Sequence, residues 1–163
     1  GGGPTELTAR LLQQVGRLDF TAEELEGRTY RNAVFKTLFL ALAQDKAVDW
    51  ETGLAISAQH AGKADKIEFH HIFPKEHLKK ARPDLERSAA DDISNLAFIG
   101  SKTNNKIRAR APKDYRHDFD ASRLEAQLVD FAEGRDEAQN FEQFLTRRRS
   151  AVARRLNQFL GVD

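Results

Sequence analysis

Apolar residues recur every three or four positions along much of this chain, and in two short stretches that spacing gives way to strand-like runs. Leu7, Leu11, Leu12 and Val15 place a helix over residues 5–18, with Thr5 or Thr8 as its cap. Thr21 followed by Glu23 and Glu24 starts a short helical turn that Gly27 ends. Val34, Phe35, Leu38, Phe39, Leu40 and Leu42 leave residues 31–43 little polar face, so this helix belongs in the core. Residues 45–56 read as a loop anchored by Trp50 and turning at Glu51-Thr52-Gly53, and 59–66 as a polar, exposed stretch. Ile67, Phe69, Ile72 and Phe73 predict a strand that Pro74 stops. A short helix or ordered loop over 75–81 and a charged connector over 82–92 follow. The second β-prone run begins at Asn95 with Leu96-Ala97-Phe98-Ile99, after which Ser101 caps a helix over 102–110. Residues 112–119 read as irregular, and Leu124, Leu128, Val129 and Phe131 predict an amphipathic helix over 121–131. The last helix, 138–160, puts Phe141, Phe144, Leu145, Val152, Leu156, Phe159 and Leu160 on one side and arginines on the other. With no internal repeat, this pattern predicts an α+β, mainly helical fold in which helices surround a two-stranded centre. One domain over 5–163 is expected: helices up to 66, a strand–strand–helix unit over 67–110, and helices from 111 onward.

Bulk composition narrows the class without naming a function. The chain has 163 residues, 40 % apolar and 31 % charged, which is globular rather than disordered. No apolar stretch approaches bilayer length, no secretory signal is visible, and no membrane partner is expected. Zero cysteines exclude disulfides and cysteine-ligated zinc and fit a reducing compartment, so the cytoplasm is the expected location. There is no methionine, and the chain starts Gly1-Gly2-Gly3-Pro4. The expectation is a fragment of a longer protein, with a cloning remnant at residues 1–4.

Net charge is only +1, but its distribution is uneven. Between 101 and 117 stand Lys102, Lys106, Arg108, Arg110, Lys113 and Arg116 against Asp114 alone. Five arginines and no acid occupy 147–155, whereas 19–26 is acidic. Cations adjoining a site that handles phosphate would give salt-sensitive, largely sequence-independent affinity for DNA. Lys106, Arg108, Arg110 and Lys113, together with Lys75, are the candidate DNA contacts. A solvated helix face explains the same cluster more blandly, and it is the better account of the arginines at 147–155.

The chemistry gathers in Ile67-Glu68-Phe69-His70-His71-Ile72-Phe73-Pro74 and in Asn95 to Asn104. Histidine is the side chain best placed to take a proton from water near neutral pH. Neighbours on a strand point to opposite faces, so His70 and His71 divide the labour: one binds metal, the other acts as base. An imidazole, an asparagine carbonyl and phosphate oxygens make a sparse site for Mg²⁺, or for Mn²⁺ or Ni²⁺. Such a site suits phosphodiester hydrolysis, with the ion neutralising charge on the leaving 3′ oxygen.

His70-His71-Ile72-Phe73-Pro74, then Ser94-Asn95-Leu96-Ala97-Phe98-Ile99, then Asn104-Asn105-Lys106 resemble the HNH endonucleases of ββα-metal fold. More closely, the stretch resembles the HNH module at the C-terminal end of DUF262/DUF1524 proteins, among them modification-dependent restriction and phage-defence nucleases. Ala47-Val48-Asp49-Trp50-Glu51-Thr52-Gly53 also looks like a segment that precedes the motif there, so the likeness covers roughly residues 30–115. The resemblance implies that His71 is the general base and that His70 and Asn104 are the metal ligands. Asn95 then ties the loop and orients the base. It further implies a divalent cofactor, nicking of DNA, and an N-terminal DUF262-type sensor domain in the intact chain. The zinc-binding cysteines that brace some relatives are missing, so flanking helices must do the bracing.

Other roles stay open for several residues. Histidine pairs on half-buried strands can be structural, Asn95 can be an ordinary turn residue, and Asn105 competes with Asn104 as ligand, although spacing favours Asn104. His77 suits a surface position better than a phosphate contact, and His60 and His117 carry no pattern. Beside the nuclease stand two alternatives: a DNA- or partner-binding domain of the same shape without catalysis, and a nuclease toxin.

Overall fold

The computed structural model of the chain describes residues 19–57, 67–131 and 134–162. The helix expected over 5–18 and the polar stretch 59–66 lie outside them. At the N-terminal end, α1 (Ala22–Leu25) is held by a capping box: the Thr21 hydroxyl accepts from the Glu24 N–H, and the Glu24 carboxylate from the Thr21 N–H. The long apolar run forms α2 (Ala33–Gln44), with Asn32 capping the Val34 N–H at 3.0 Å. Its Leu40 nevertheless stands exposed.

The centre follows the expected order of strand, connection, strand and helix. It comprises β1 (Ile67–His71), α3 (Lys75–Ala81), 3-10 turns at Arg87–Asp91 and Ile93–Asn95, β2 (Leu96–Gly100) and α4 (Ser101–Ile107). The helix starts one residue earlier than expected, with Gly100 in the capping position, so Ser101 is its first residue rather than its cap. It also ends early, because Arg108 takes a positive φ of 51° that a helix cannot continue through. Residues 112–119, expected to be irregular, form α5 (Pro112–Tyr115) and a 3-10 turn.

The helix expected over 121–131 stops after α6 (Ala121–Glu125). The reason lies in Gln127, whose side-chain amide accepts from the Phe98 N–H and donates to the Phe98 carbonyl, both at 2.8 Å. It supplies the free edge of β2 with the partner a third strand would have provided. A third Gln127 bond, to the Val48 carbonyl, ties the 45–56 loop to the same edge. Last comes α7 (Phe141–Leu160), closed by Gly161 at φ 68°. Phe159 is only half-buried and Leu160 exposed, so the apolar stripe fades at its end.

The molecule is thus α+β and mainly helical, around a two-stranded antiparallel sheet with His70 opposite Ala97 and His71 opposite Leu96. Alternation separates its two faces. Ile67, Leu96 and Phe98 join Phe35 and Leu38 of α2 and Val152 and Leu156 of α7 in one cluster. Ala97 and Ile99 join Trp50, Ile107 and Tyr115 in the other. A two-stranded ribbon is marginal alone, so these clusters hold it. Among the described residues, no helix is long and apolar enough to cross a membrane.

Candidate active site

His70 sits on the sheet face that α4 covers, in register with Ala97 and beside Ile99. Among the described residues its buried Nε2 has no hydrogen-bond partner, and Glu68, on the same face, is the nearest carboxylate at 3.9 Å. Burial holds this imidazole below its ordinary value, with Glu68 opposing the shift and His71 adding to it. At neutral pH the ring is therefore uncharged and keeps a lone pair for a cation.

Asp49 joins His70 to α4. It is fully buried, and both of its oxygens accept from the Thr103 hydroxyl, at 2.7 and 2.8 Å, while Oδ2 also accepts from the Gly100 N–H at 2.7 Å. Oδ1 further accepts from Glu51, Thr52 N–H and the Thr52 hydroxyl, which makes the Glu51-Thr52-Gly53 turn. Burial pushes the Asp49 carboxyl up, but these bonds outweigh it and hold the group below the ordinary carboxylate range. The resulting anion also acts electrostatically on His70. The start of α4 and the His70 ring therefore belong to one neighbourhood, and Asn104 lies in the first turn of that helix, half-buried, with Asn105 exposed.

His71 is placed differently. Its side chain is 24 % exposed, and its Nε2 lies 2.9 Å from Asp91 Oδ1. Lys75 Nζ reaches both oxygens of the same carboxylate, at 2.7 and 2.8 Å. Burial lowers the His71 pKa, against a raising hydrogen bond to Asp91. Lys75 and Asp91 also line a cavity of about 640 Å³ between α3 and residues 82–91, with Lys79, Arg87 and Ala90 on its wall.

Asn95 is fully buried and spends its whole side chain on two backbone segments, the one that follows His71 and the one that precedes Asp91. Its Oδ1 accepts from the Phe73 N–H at 2.8 Å; its Nδ2 donates to the Phe73 carbonyl at 3.1 Å and to that of Ala90 at 2.9 Å. The Asn95 carbonyl takes the Ile72 N–H, and the Tyr115 hydroxyl donates to the Ile72 carbonyl at 2.6 Å. The bend after β1 is thereby pinned from three sides.

Of the five cations expected to touch DNA, four already face a carboxylate. Lys75 pairs with Asp91, Lys106 with Glu51, Arg110 with Asp118, and Lys113 with Glu137 at a loose 3.9 Å. Arg108 reaches back to the Asn105 carbonyl. The charge that looked free in the sequence is partly neutralised by residues distant along the chain. The arginines of α7 are not one solvated face either. Arg148 is buried and donates to the carbonyls of Leu128, Ser94, Leu96 and Gln127. Burial pushes it down to about 9, which still leaves it charged at neutral pH. Arg149 binds Asp92, and Arg155 binds Asp45. His77, expected at the surface, has a buried Nε2 without a hydrogen-bond partner among the described residues.

Sequence reasoning missed Asp91, Asp49 and Arg148. Asp91 stood in a charged connector where acids read as solvated, Asp49 was noted only as part of a segment, and Arg148 looks like its neighbours. Among the described residues, no three His, Cys, Asp or Glu side chains converge as a metal cage, and a histidine–asparagine pair would not form one. Compared with protein-family models, curated proteins and solved structures, the chain matches none, so any assignment stands on the geometry above.

Proposed function

We propose that this chain is a divalent-metal-dependent DNA endonuclease module that nicks one strand per event. The observation that carries the reading is the buried Nε2 of His70, without a hydrogen-bond partner among the described residues, on the face covered by α4 and one residue from a solvent-reached imidazole. Leaving a buried polar atom unsatisfied costs about 1–3 kcal/mol, and a cation removes that cost. A neutral imidazole with a carboxamide oxygen is a fitting donor set for Mg²⁺, Mn²⁺ or Ni²⁺, and His70 and Asn104 would hold the ion. Once bound, the ion supplies charge neutralisation at the leaving 3′ oxygen.

The chain's own residues do the rest. His71 takes a proton from the attacking water. Asn95 fixes the backbone after His71, so the ring does not drift relative to β1. Lys75, Lys106, Arg108, Arg110 and Lys113 meet DNA phosphates. Their present partners do not prevent this, because exposed ion pairs contribute only about 0–1 kcal/mol and exchange readily for phosphate. We extend the reading to an HNH module of the DUF262/DUF1524 type, acting in the cytoplasm as the effector of an anti-phage protein whose N-terminal sensor domain restrains it.

Supercoiled plasmid incubated with Mg²⁺, Mn²⁺ or Ni²⁺ tests the proposal. Relaxed circles are expected from the wild type and not from His71→Ala or His70→Ala. Absence of relaxed product with all three metals, or undiminished product from His71→Ala, ends it. Lys106→Ala should weaken DNA binding evenly across sequences and reduce the salt dependence by about one counter-ion.

A further inference from the structure

We infer that Asp91 is a positioning residue for His71, holding the ring so that Nδ1, not Nε2, faces the attacking water. The inference builds on the nuclease reading for the base's role, but the arrangement of the two side chains stands by itself.

The carboxylate oxygen lies 2.9 Å from His71 Nε2. An ionised carboxylate can only accept hydrogen bonds, so the nitrogen it meets must carry the proton, and the lone pair is left on Nδ1. Asp91 is ionised at neutral pH: burial pushes its carboxyl up, but hydrogen bonds from Lys75 and His71 together hold it below the ordinary range. Lys75 meets both carboxylate oxygens, and its charge offsets a negative one that would repel an incoming phosphate.

Asp91 is also fixed from within. The carbonyl of Ala90 accepts from Asn95 Nδ2. On the other side, the buried Asp92 accepts from Arg149 at 2.7 Å, from the Gly27 N–H at 3.0 Å and from the Ser94 N–H at 2.9 Å. The residue between two pinned neighbours has little freedom, so the fold presets where the His71 ring can point. Asn95 thus holds both partners, since the same side chain binds Phe73 beyond the base and Ala90 before the carboxylate.

In the reaction, a water O–H bond breaks and its proton forms an N–H bond at Nδ1. The hydroxide oxygen bonds to phosphorus, and the bond from phosphorus to the 3′ oxygen breaks. That oxygen keeps the electron pair and takes a proton from solvent to leave as the 3′-hydroxyl. Imidazolium then carries protons on both nitrogens, and Asp91 stabilises that cation until Nδ1 releases its proton to solvent.

The test compares wild type with Asp91→Ala and Asp91→Glu on two independent readouts. Long-range ¹⁵N–¹H spectra at pH 8 report the His71 tautomer in metal-free protein. Single-turnover nicking, with the metal-titration midpoint and DNA affinity measured alongside, reports catalysis. The expected result is an Nε2–H tautomer in the wild type, lost in Asp91→Ala and recovered in part by Asp91→Glu. Nicking by Asp91→Ala should fall on the order of 10²-fold at saturating metal, within what proton-transfer catalysis contributes, with metal midpoint and DNA affinity held within about twofold. An Nδ1–H tautomer in the wild type, or a tautomer that Asp91→Ala leaves unchanged, overturns the inference. So does a loss that saturating metal restores, which would make Asp91 a ligand. Should the wild type nick no DNA, the nuclease reading fails, and the tautomer alone decides whether Asp91 positions His71.

Discussion

The two faces of the β1–β2 ribbon are built from the same ten residues and carry different burdens. On one, Phe98 stacks on Phe35 at 4.8 Å and meets Phe39 edge-on at 5.1 Å, and Phe69 stacks on Tyr30 at 4.7 Å. On the other, Ala97 and Ile99 pack into the second cluster, on the side that carries His70 and feels the buried carboxylate of Asp49. Aromatic burial on the first face gives the ribbon the stability it lacks alone. That surplus permits an unsatisfied imidazole on the second. By register His71, opposite Leu96, falls on the aromatic side at the end of β1, so alternation sets the proposed ligand and the proposed base on opposite faces of the ribbon.

The largest expected effect breaks the comparison on the chemical side. His71→Ala should lower single-turnover nicking by about 10²–10⁴-fold, while the thermal midpoint, measured by calorimetry, barely moves. Equal losses of both would show that the residue is structural. Within the aromatic cluster, Phe98→Ala should destabilise by about 3–5 kcal/mol in urea unfolding; a loss under 1 kcal/mol would mean that the aromatic face does not carry the ribbon.

Asn95→Ala strands the Phe73 N–H and two carbonyls in the interior. It should cost about 2–3 kcal/mol and also slow nicking through the bend after β1. His70→Leu sharpens the contrast further. It should abolish nicking yet raise metal-free stability by about 1 kcal/mol, because it replaces an orphaned nitrogen with apolar carbon. A destabilised leucine variant would show that the nitrogen is satisfied in solution.

The smallest effect is a pH slope. Burial holds His70, His71 and His77 below their ordinary value of 6.5. As pH falls, the unfolded chain therefore takes up protons first. Stability present above pH 6.5 should decline below it, until the folded groups protonate too. The urea midpoint should be lower at pH 5.5 than at pH 7.5, and His77→Phe should narrow that gap; a gap unchanged in the variant would exclude His77 as a contributor.

Much of this frame was legible in the residues. Period-two and period-three-to-four patterns, Pro74 and Gly100 placed β1, α3, β2 and α4 to within a few positions. The pair of histidines and the spacing of Asn95 and Asn104 marked the stretch on which the proposal rests. What escaped is instructive. Leu128, Val129 and Phe131 look helical, yet the helix ends at Glu125 because Gln127 turns to serve the edge of β2, a contact made 29 residues away. Arg147, Arg148 and Arg149 are alike in sequence, but only Arg148 meets converging carbonyls, while Arg149 finds Asp92. The basic look of 101–117 was offset by Glu51, Asp118 and Glu137, none of them visible as partners in a linear count of charge.

The amino-acid order by itself determined which segments are helix and strand at the centre, and which side chains could do proton and metal chemistry. Both follow from spacing and from the intrinsic pKa and donor atoms of a residue type. Only the tertiary structure decided that His70 Nε2 meets no partner among the described residues, that Asp91 meets His71, and that several cations of 101–117 are shared with acids. Those outcomes depend on which residues, 20 apart for His71 and Asp91 and 55 for Glu51 and Lys106, the fold brings within hydrogen-bond reach.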